Sequence, residues 1–169
     1  MKTSKPDAKY LIEKFGLKPL PLEGGYFRET YRSDKKLSEN VDGGGKSVST
    51  CIYFLLSDET FSAFHRLSSD EIWHFYAGDP VELQILDSTG ELKVYCLSSS
   101  LSEDSAPQVV VKAGQWQAAA LAEGGKFALL GCTVAPAFDF SDYEHGIRAN
   151  LLRSFPQHSE AILRLTREE

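Results

Sequence analysis

Residues 61–78 have the sequence FSAFHRLSSDEIWHFYAG, and this stretch decides the predicted fold and the predicted site. It places His65 and Glu71 six residues apart on two β-like segments, which are joined by a short polar turn. Both groups lie among aromatic and aliphatic residues. An imidazole and a carboxylate in such surroundings are typical of a pocket in which protonation chemistry or metal binding takes place.

Alternation along the two segments predicts which side chains meet. Glu71 shares a face with Trp73 and Phe75, and a hairpin about residues 68–70 would bring His65 and Glu71 to one cavity. A carboxylate there favours the protonated imidazole, and desolvation opposes it. We therefore predict that His65 is a general base or acid and that Glu71 orients it and tunes its pKa. A buried histidine that is paired with an acid and has no catalytic role is the alternative.

The composition is that of an ordinary folded protein. Of the 169 residues, 42% are hydrophobic and 25% are charged, which predicts a single domain over residues 1–169 with its core at about 23–140. The formal net charge of −6 argues against a nucleic-acid partner, because such proteins usually present a basic face. No apolar stretch is as long as a membrane span, and Cys51, Cys96 and Cys132 suit free thiols, so we expect a cytoplasmic protein without membrane contact.

The remaining chain is predicted to be almost wholly β. Short helices are expected at about 7–15, where Gly16 would end the helix, and at about 159–166. A strand is expected at 26–32, followed by a polar, mobile hairpin loop at 33–46. Further strands are expected at 48–56, 60–67, 71–77, 81–86, 91–97, 108–111, 115–121 and 127–134. This many short strands at regular spacing indicate a sandwich or a barrel.

Two motifs resemble those of the cupins. The pattern H-x-L-x3-E-x6-G from His65 to Gly78 resembles the first cupin motif, in which two histidines and a glutamate bind a metal. Residues 112–117, KAGQWQ, are similar to the second motif, Pro-x-Gly-x-x-His. The longer string HRLSSDEIWHFYAGDP resembles a functionally uncharacterised branch of the cupins, and this resemblance covers about residues 8–165. It implies an all-β, cupin-type double-stranded β-helix (a jelly-roll barrel) with short N- and C-terminal helices.

The chain departs from the cupin pattern at two of the metal-binding positions. Leu67 stands where the second histidine of the first motif would be, and Gln117 stands where the histidine of the second motif would be. Catalytic zinc sites keep three protein ligands, and facial-triad iron sites need two histidines and a carboxylate. We therefore expect no cofactor. If a divalent metal binds, its ligands are His65, Glu71 and Gln117, the last through its carbonyl oxygen.

A second resemblance concerns residues 25–32, GYFRETYR, which are similar to a segment of the metal-free cupins that epimerise dTDP-4-keto-6-deoxysugars. In that family this strand helps to hold the nucleotide, which implies that Phe27 and Glu29 contact a substrate. A histidine placed like His65 removes the proton next to the ketone, and a tyrosine near the end of the barrel assists, for which Tyr143 is the candidate. The arginine that precedes that histidine in the epimerases is absent here, so the resemblance does not imply the same substrate.

Aromatic side chains of the β segments are predicted to line the cavity and to stack on a flat or sugar-like ring. The predicted substrate-binding residues are Phe27, Glu29, Trp73, Phe75, Trp116 and Gln117. Cupins commonly dimerise by exchanging N-terminal strands, so the resemblance also implies a homodimer in which residues 23–32 pair with the partner.

Three functions remain open at this point, and all of them use a small molecule as the ligand. The first is a metal-independent isomerase or epimerase acting on a sugar-like or keto compound, in which His65 moves the proton and Gln117 or Tyr143 hydrogen-bonds the developing oxyanion. The second is a cupin that binds or stores a small molecule without catalysis. The third is a metal-dependent cupin with a degenerate ligand set.

Overall fold

The structure, a computed structural model, describes residues 6–38 and 45–168. The α-helices in these ranges are α1 (Ala8–Phe15), α2 (Arg148–Ser154) and α3 (Ser159–Arg164). The strands are β1 (Lys18–Pro19), β2 (Tyr26–Arg32), β3 (Thr50–Ser57), β4 (Ser62–Leu67), β5 (Asp70–Gly78), β6 (Val81–Leu86), β7 (Leu92–Leu97), β8 (Ser105–Ala106), β9 (Gln108–Val111), β10 (Trp116–Leu121), β11 (Phe127–Ala135) and β12 (Tyr143–His145). In the described part of the chain, no helix is both long enough and apolar enough to cross a membrane.

The predicted strands are found with ends that differ by two residues or fewer. The helix α2 and the short strands β1, β8 and β12 are not among the predicted elements. The predicted loop at 33–46 is described only in part, because residues 39–44 lie outside the described residues. On either side of that gap, Lys36 and Ser47 form an antiparallel bridge, as the two arms of a hairpin do.

The strands form two sheets of six in the arrangement of a jelly roll. One sheet has the order β1-β2-β3-β11-β5-β9, and the other has the order β12-β4-β10-β6-β7-β8. Four strands of each sheet, β3-β11-β5-β9 and β4-β10-β6-β7, make up the eight-stranded jelly roll, to which β1, β2, β8 and β12 are added at the edges. The predicted all-β, jelly-roll fold with short terminal helices is therefore confirmed.

The expected hairpin between β4 and β5 is wrong. β4 pairs with β10 and β12, whereas β5 pairs with β11 and β9, so the two consecutive strands belong to opposite sheets. The two serines between them, Ser68 and Ser69, carry the chain from one sheet to the other. Facing side chains of the two sheets meet in the interior, and His65 and Glu71 therefore converge from opposite walls rather than from neighbouring strands.

Helices cover part of the outer face of each sheet, so several strands are buried on both sides. Leu55 of β3 packs with Leu11 of α1 on the outside of the first sheet. Phe64 of β4 packs with Leu151 of α2 on the outside of the second sheet. Because alternate residues of a strand point to opposite faces, an outward Phe64 places His65 on the inner face.

The turn between β1 and β2 brings Glu23 against β4. The Glu23 carbonyl oxygen accepts a hydrogen bond from the Ala63 N–H at 2.8 Å. Gly25 follows with a φ of +71°, which side-chain-bearing residues rarely adopt. A Cβ at Gly25 would lie 2.8 Å from Phe54 Cζ and 2.9 Å from the Leu55 carbonyl oxygen, so the chain approaches β3 too closely for any other residue.

We expect Gly25→Ala to lower the free energy of unfolding by about 2 kcal/mol or more, because it adds a steric clash to an unfavourable φ. Gly124→Ala is the matched control, since Gly124 also has a positive φ, +78°, but has no atom within 4 Å of the added Cβ. The control is expected to lose only about 1 kcal/mol. Urea denaturation of both variants measures the difference, and equal losses would contradict the close approach at Gly25.

Candidate functional site

A cavity of about 160 Å³ lies between the two sheets. It reaches the surface beside Glu29 and Arg32, whose side chains are 39% and 42% exposed. The predicted site residues that line it are Phe27, Glu29, His65 and Glu71. The prediction that His65 and Glu71 face one cavity therefore agrees with the geometry, although the path of the chain differs from the expected hairpin.

His65 presents one ring nitrogen to this cavity and is only 2% exposed. Its Nδ1 lies 2.8 Å from the Ala63 carbonyl oxygen, and since a carbonyl can only accept, Nδ1 carries the proton of the neutral ring. Nε2 then has an available lone pair and lies 3.8 Å from Glu23 Oε2, beyond hydrogen-bond length. Burial lowers the pKa of His65, while the charge of Glu71 opposes this shift. His65 is thus a neutral imidazole with an open base position.

Glu23 is a cavity residue that is absent from the sequence-based prediction. Its side chain is 12% exposed, and its Oε1 accepts a hydrogen bond from Ser62 Oγ at 2.8 Å. Burial raises the pKa of Glu23 to about 7, against the effect of the Ser62 hydrogen bond. The residue lies in a loop without hydrophobic periodicity, so the following glycine pair, which marks a tight turn, is the signal that could have pointed to it.

Glu71 is supported from behind by two consecutive hydrogen bonds. The Trp73 indole N–H donates to Gln117 Oε1 at 2.8 Å, and Gln117 Nε2 donates to Glu71 Oε2 at 2.6 Å. An indole nitrogen can only donate, so the orientation of the Gln117 amide is fixed. Burial raises the pKa of Glu71 to about 7, while the charge of His65 lowers it. Glu23 and Glu71 therefore both titrate near neutral pH, chiefly because both are buried.

Tyr143, the predicted assisting tyrosine, contacts His65 through its ring. The two rings stack with their centroids 5.3 Å apart and an interplanar angle of 20°. The Tyr143 hydroxyl shares a hydrogen bond with His145 Nδ1 at 3.0 Å. Burial raises the pKa of Tyr143, which keeps the hydroxyl protonated. Tyr143 therefore holds the plane of the His65 imidazole by ring stacking, while its hydroxyl is hydrogen-bonded to His145.

The other predicted substrate-binding residues lie outside the cavity lining. Trp116 is on the outer face of β10, where the Arg66 guanidinium lies 4.6 Å from the centre of its ring. Adjacent residues of a strand point to opposite faces, so Trp116 and Gln117 cannot both face the interior. Trp73 and Phe75 pack in the core between the sheets. Gln117 acts on the cavity only through Glu71.

An eight-stranded jelly roll with a polar site between its sheets is the architecture of the cupins, and viral capsid and lectin domains share the jelly roll. The family model described as Cupin superfamily (DUF985) matches residues 9–146. The chain therefore belongs to this family, which confirms the resemblance seen in the sequence.

Three relatives extend this result. Uncharacterized protein YML079W from Saccharomyces cerevisiae is 29% identical over 134 residues, and the match covers 72% of this chain but only 66% of the yeast protein. The crystal structure of protein SO0799 from Shewanella oneidensis has 34% identity and a TM-score of 0.88, covering 97% of this chain and 99% of that one. A hypothetical protein from Leishmania major has 31% identity and a TM-score of 0.89, covering 96% and 100%.

A more distant structure shows how far the fold extends. Oxalate decarboxylase from Bacillus subtilis has a TM-score of 0.55 at 14% identity, over 90% of this chain and 38% of that one. At this identity the likeness concerns the fold alone.

The side chains present do not fit the cupin metal site. Leu67 is apolar, and Gln117 turns its only acceptor oxygen to Trp73 rather than to the cavity. Within residues 6–38 and 45–168, no group of three or more His, Cys, Asp or Glu side chains is placed to hold a metal ion. The set His65, Glu71 and Gln117 is therefore not a ligand set in this geometry, because Gln117 would have to leave both of its partners.

The pKa of Glu71 predicts how stability depends on pH. Between its ordinary value of 4.5 and about 7, Glu71 keeps a proton in the folded state that the unfolded chain releases. The free energy of unfolding therefore falls as the pH rises through this range and levels off above it. His65 has the opposite effect at and below its ordinary pKa of 6.5, because its folded pKa is lowered.

Comparing the natural chain with Glu71→Gln separates the effect of the Glu71 carboxyl group on stability from that of His65, because both proteins contain His65. We expect the free energy of unfolding of the variant to improve relative to that of the natural chain as the pH is raised from 5 to 8, since the amide never ionises. Urea denaturation at each pH gives the difference, with the exposed-site variant Glu59→Gln as the control. A difference that stays constant from pH 5 to 8 would show that Glu71 ionises normally.

Proposed function

We propose that this protein binds a small molecule in the cavity between its sheets and moves a proton on it, as a metal-independent isomerase or epimerase. The observation that carries this proposal is the state of His65, a buried neutral imidazole whose Nε2 faces the cavity without a hydrogen bond. A general base needs an available lone pair and an orientation that is held by its other nitrogen. The Ala63 carbonyl and the Tyr143 ring supply that orientation.

The two carboxyl groups provide what a base-catalysed proton transfer next to a carbonyl requires. His65 Nε2 takes the proton from the carbon, and the electron pair of the C–H bond moves to the carbonyl oxygen to give an enolate. With pKa values of about 7, Glu23 and Glu71 hold close to one proton between them at neutral pH, and the protonated carboxyl donates a hydrogen bond to that oxygen. The ionised carboxylate stabilises the imidazolium, which returns the proton to either face of the same carbon while the oxyanion re-forms the carbonyl. Where that carbon also carries a hydroxyl group, the hydroxyl proton passes to the oxyanion through the carboxyl groups, and the imidazolium instead protonates the former carbonyl carbon.

The size of the cavity limits the substrate. A volume of about 160 Å³ is close to that of a cavity that holds one benzene molecule, on the order of 150 Å³. A keto compound or a small sugar with a few carbons fits this space. A sugar nucleotide would have to leave most of its atoms outside the opening, so the substrate of the resembling epimerases is not the one proposed here.

Binding or storage without catalysis is the second candidate. The apolar part of the wall favours it, since Leu20, Ile52, Phe54, Leu67 and Val134 surround the polar groups. Such a wall holds a ligand by burial of its apolar surface and needs no reaction.

The predicted homodimer stays a proposal; within the described residues, β2 pairs with β3 of the same chain, and its other edge pairs with β1 only at Tyr26 and Phe27. A cytoplasmic location also stays a proposal.

The test is solvent exchange in deuterium oxide. We expect the protein to exchange the hydrogen next to the carbonyl in at least one member of a panel of small ketoses, aldoses and aminoketones, followed by proton NMR. His65→Asn is expected to slow this exchange by at least about 100-fold, the usual contribution of a general base. His74→Asn is the matched control, because His74 lies on the outer face of β5 and bonds Thr133 Oγ1 at 3.0 Å.

The outcomes separate the two candidates. Exchange that survives in His65→Asn would remove His65 from the role of base. Ligand binding without exchange of any compound would replace the isomerase by the binding protein.

A further inference from the structure

The charges that line the cavity are mostly negative. Among the residues that the structure describes, four carboxyl groups line it, those of Glu23, Glu29, Glu71 and Asp139, against one permanent cation, Arg32. The Arg32 guanidinium is committed to Glu29, with Nε 3.0 Å from Oε1 and Nη2 2.7 Å from Oε2, and it also donates to the Phe138 carbonyl oxygen at 3.1 Å. Among the lining residues, Glu23 and Glu71 are therefore left without a cationic partner.

Among the described residues, two polar atoms of the cavity wall have no hydrogen bond to another protein group. Glu23 Oε1 is bonded to Ser62, but Oε2 points towards His65 Nε2, which lies 3.8 Å away. Both atoms are acceptors when the imidazole is neutral and the carboxyl is ionised, so neither can satisfy the other. A ligand group that donates hydrogen bonds and carries positive charge would pair with Glu23 Oε2 and leave His65 Nε2 available as the base.

An anionic ligand group would meet the opposite situation. A carboxylate or phosphate placed next to Glu23 and Glu71 would be repelled by like charge in a setting that water screens poorly. Its entry would require both acids to be protonated. Arg32 at the opening offers no compensation, because Glu29 already occupies the two-pronged face of its guanidinium.

The walls suit the rest of a cationic molecule. Phe27, Phe54, Phe138 and Phe140 line the cavity together with aliphatic residues. Aromatic rings attract cations through their faces, and they bury the apolar body of a ligand. The volume of about 160 Å³ limits that body to about the size of a substituted benzene ring.

We infer that the ligand of this cavity is a small organic cation, a protonated amine on an apolar body, whose ammonium group pairs with the Glu23 and Glu71 carboxyl groups beside His65. The inference rests on the proposed function in that it takes the same cavity as the ligand site. It names the substrate class of the proposed reaction as a small aminocarbonyl compound, with the ammonium group as its anchor.

Three compounds of one shape test the charge of the ligand. Benzylamine, benzyl alcohol and benzoate carry a positive, zero and negative charge at pH 7.5. The chain has two tryptophans, which give two indole N–H signals in a nitrogen-15 NMR spectrum. Trp73 reports on the cavity through Gln117 and Glu71, whereas Trp116 lies on the outer face and serves as the internal control.

We expect benzylamine to shift the Trp73 signal and not the Trp116 signal, with an affinity at least about tenfold higher than that of benzyl alcohol. Benzoate is expected to bind most weakly. Glu23→Gln should weaken benzylamine by about tenfold and change benzyl alcohol by less than about twofold. Glu71→Gln is a second variant with the same expectation, and Glu59→Gln, at an exposed site, should change neither affinity.

Other results would overturn the inference. Benzoate or benzyl alcohol binding as tightly as benzylamine would contradict the cationic ligand and leave the proposed proton transfer standing. If the three probes bind in the expected order of charge but no carbonyl compound exchanges hydrogen, the cationic ligand is supported and the proposed proton transfer is contradicted. If neither these probes nor the carbonyl panel moves the Trp73 signal, the cavity is not a ligand site and both proposals fail. Zinc ions that displace benzylamine at micromolar concentration would assign the acidic groups to a metal instead.

Discussion

The passage of the chain from β4 to β5 is the constraint on which the site depends. Only Ser68 and Ser69 separate two strands that belong to opposite sheets, so two groups six residues apart in sequence end on facing walls. The inner face of each strand is set by the hydrophobic residues that pack outside it, Phe64 in the case of β4. A shift of one residue in either strand would turn its polar group away from the cavity.

Buried polar groups need partners, and this fold supplies them from the backbone and from residues behind the cavity. Ala63 binds the far nitrogen of His65, Ser62 binds one oxygen of Glu23, and Gln117 binds one oxygen of Glu71. The partners hold the three groups in place but leave one atom of His65 and one of Glu23 without a hydrogen bond. Polar atoms that face a cavity without a protein partner are available to a ligand.

The sequence predicts the local features well, because they follow from periodicity and turn residues. The strand boundaries, α1 with its end at Gly16, and the inward direction of His65 all come from patterns within a few residues. The pairing of strands is not local, which is why the expected β4–β5 hairpin is wrong. Glu23 escapes prediction for the same reason, since its position follows from a tight glycine turn against β3 and from contacts with β4 that are distant in sequence.

The central claim is that Glu23, Glu71 and a neutral His65 line the same cavity, where their burial shifts their pKa values. Its most direct test is an NMR titration that follows the carboxyl carbons of the glutamates and the ring nitrogens of His65. The structure predicts two carboxyl groups that titrate near pH 7, together with a His65 ring protonated on Nδ1 at neutral pH. Ordinary carboxyl titration near pH 4.5, with a His65 ring that takes up its second proton near pH 6.5, would show that these groups lie in water and would contradict the account.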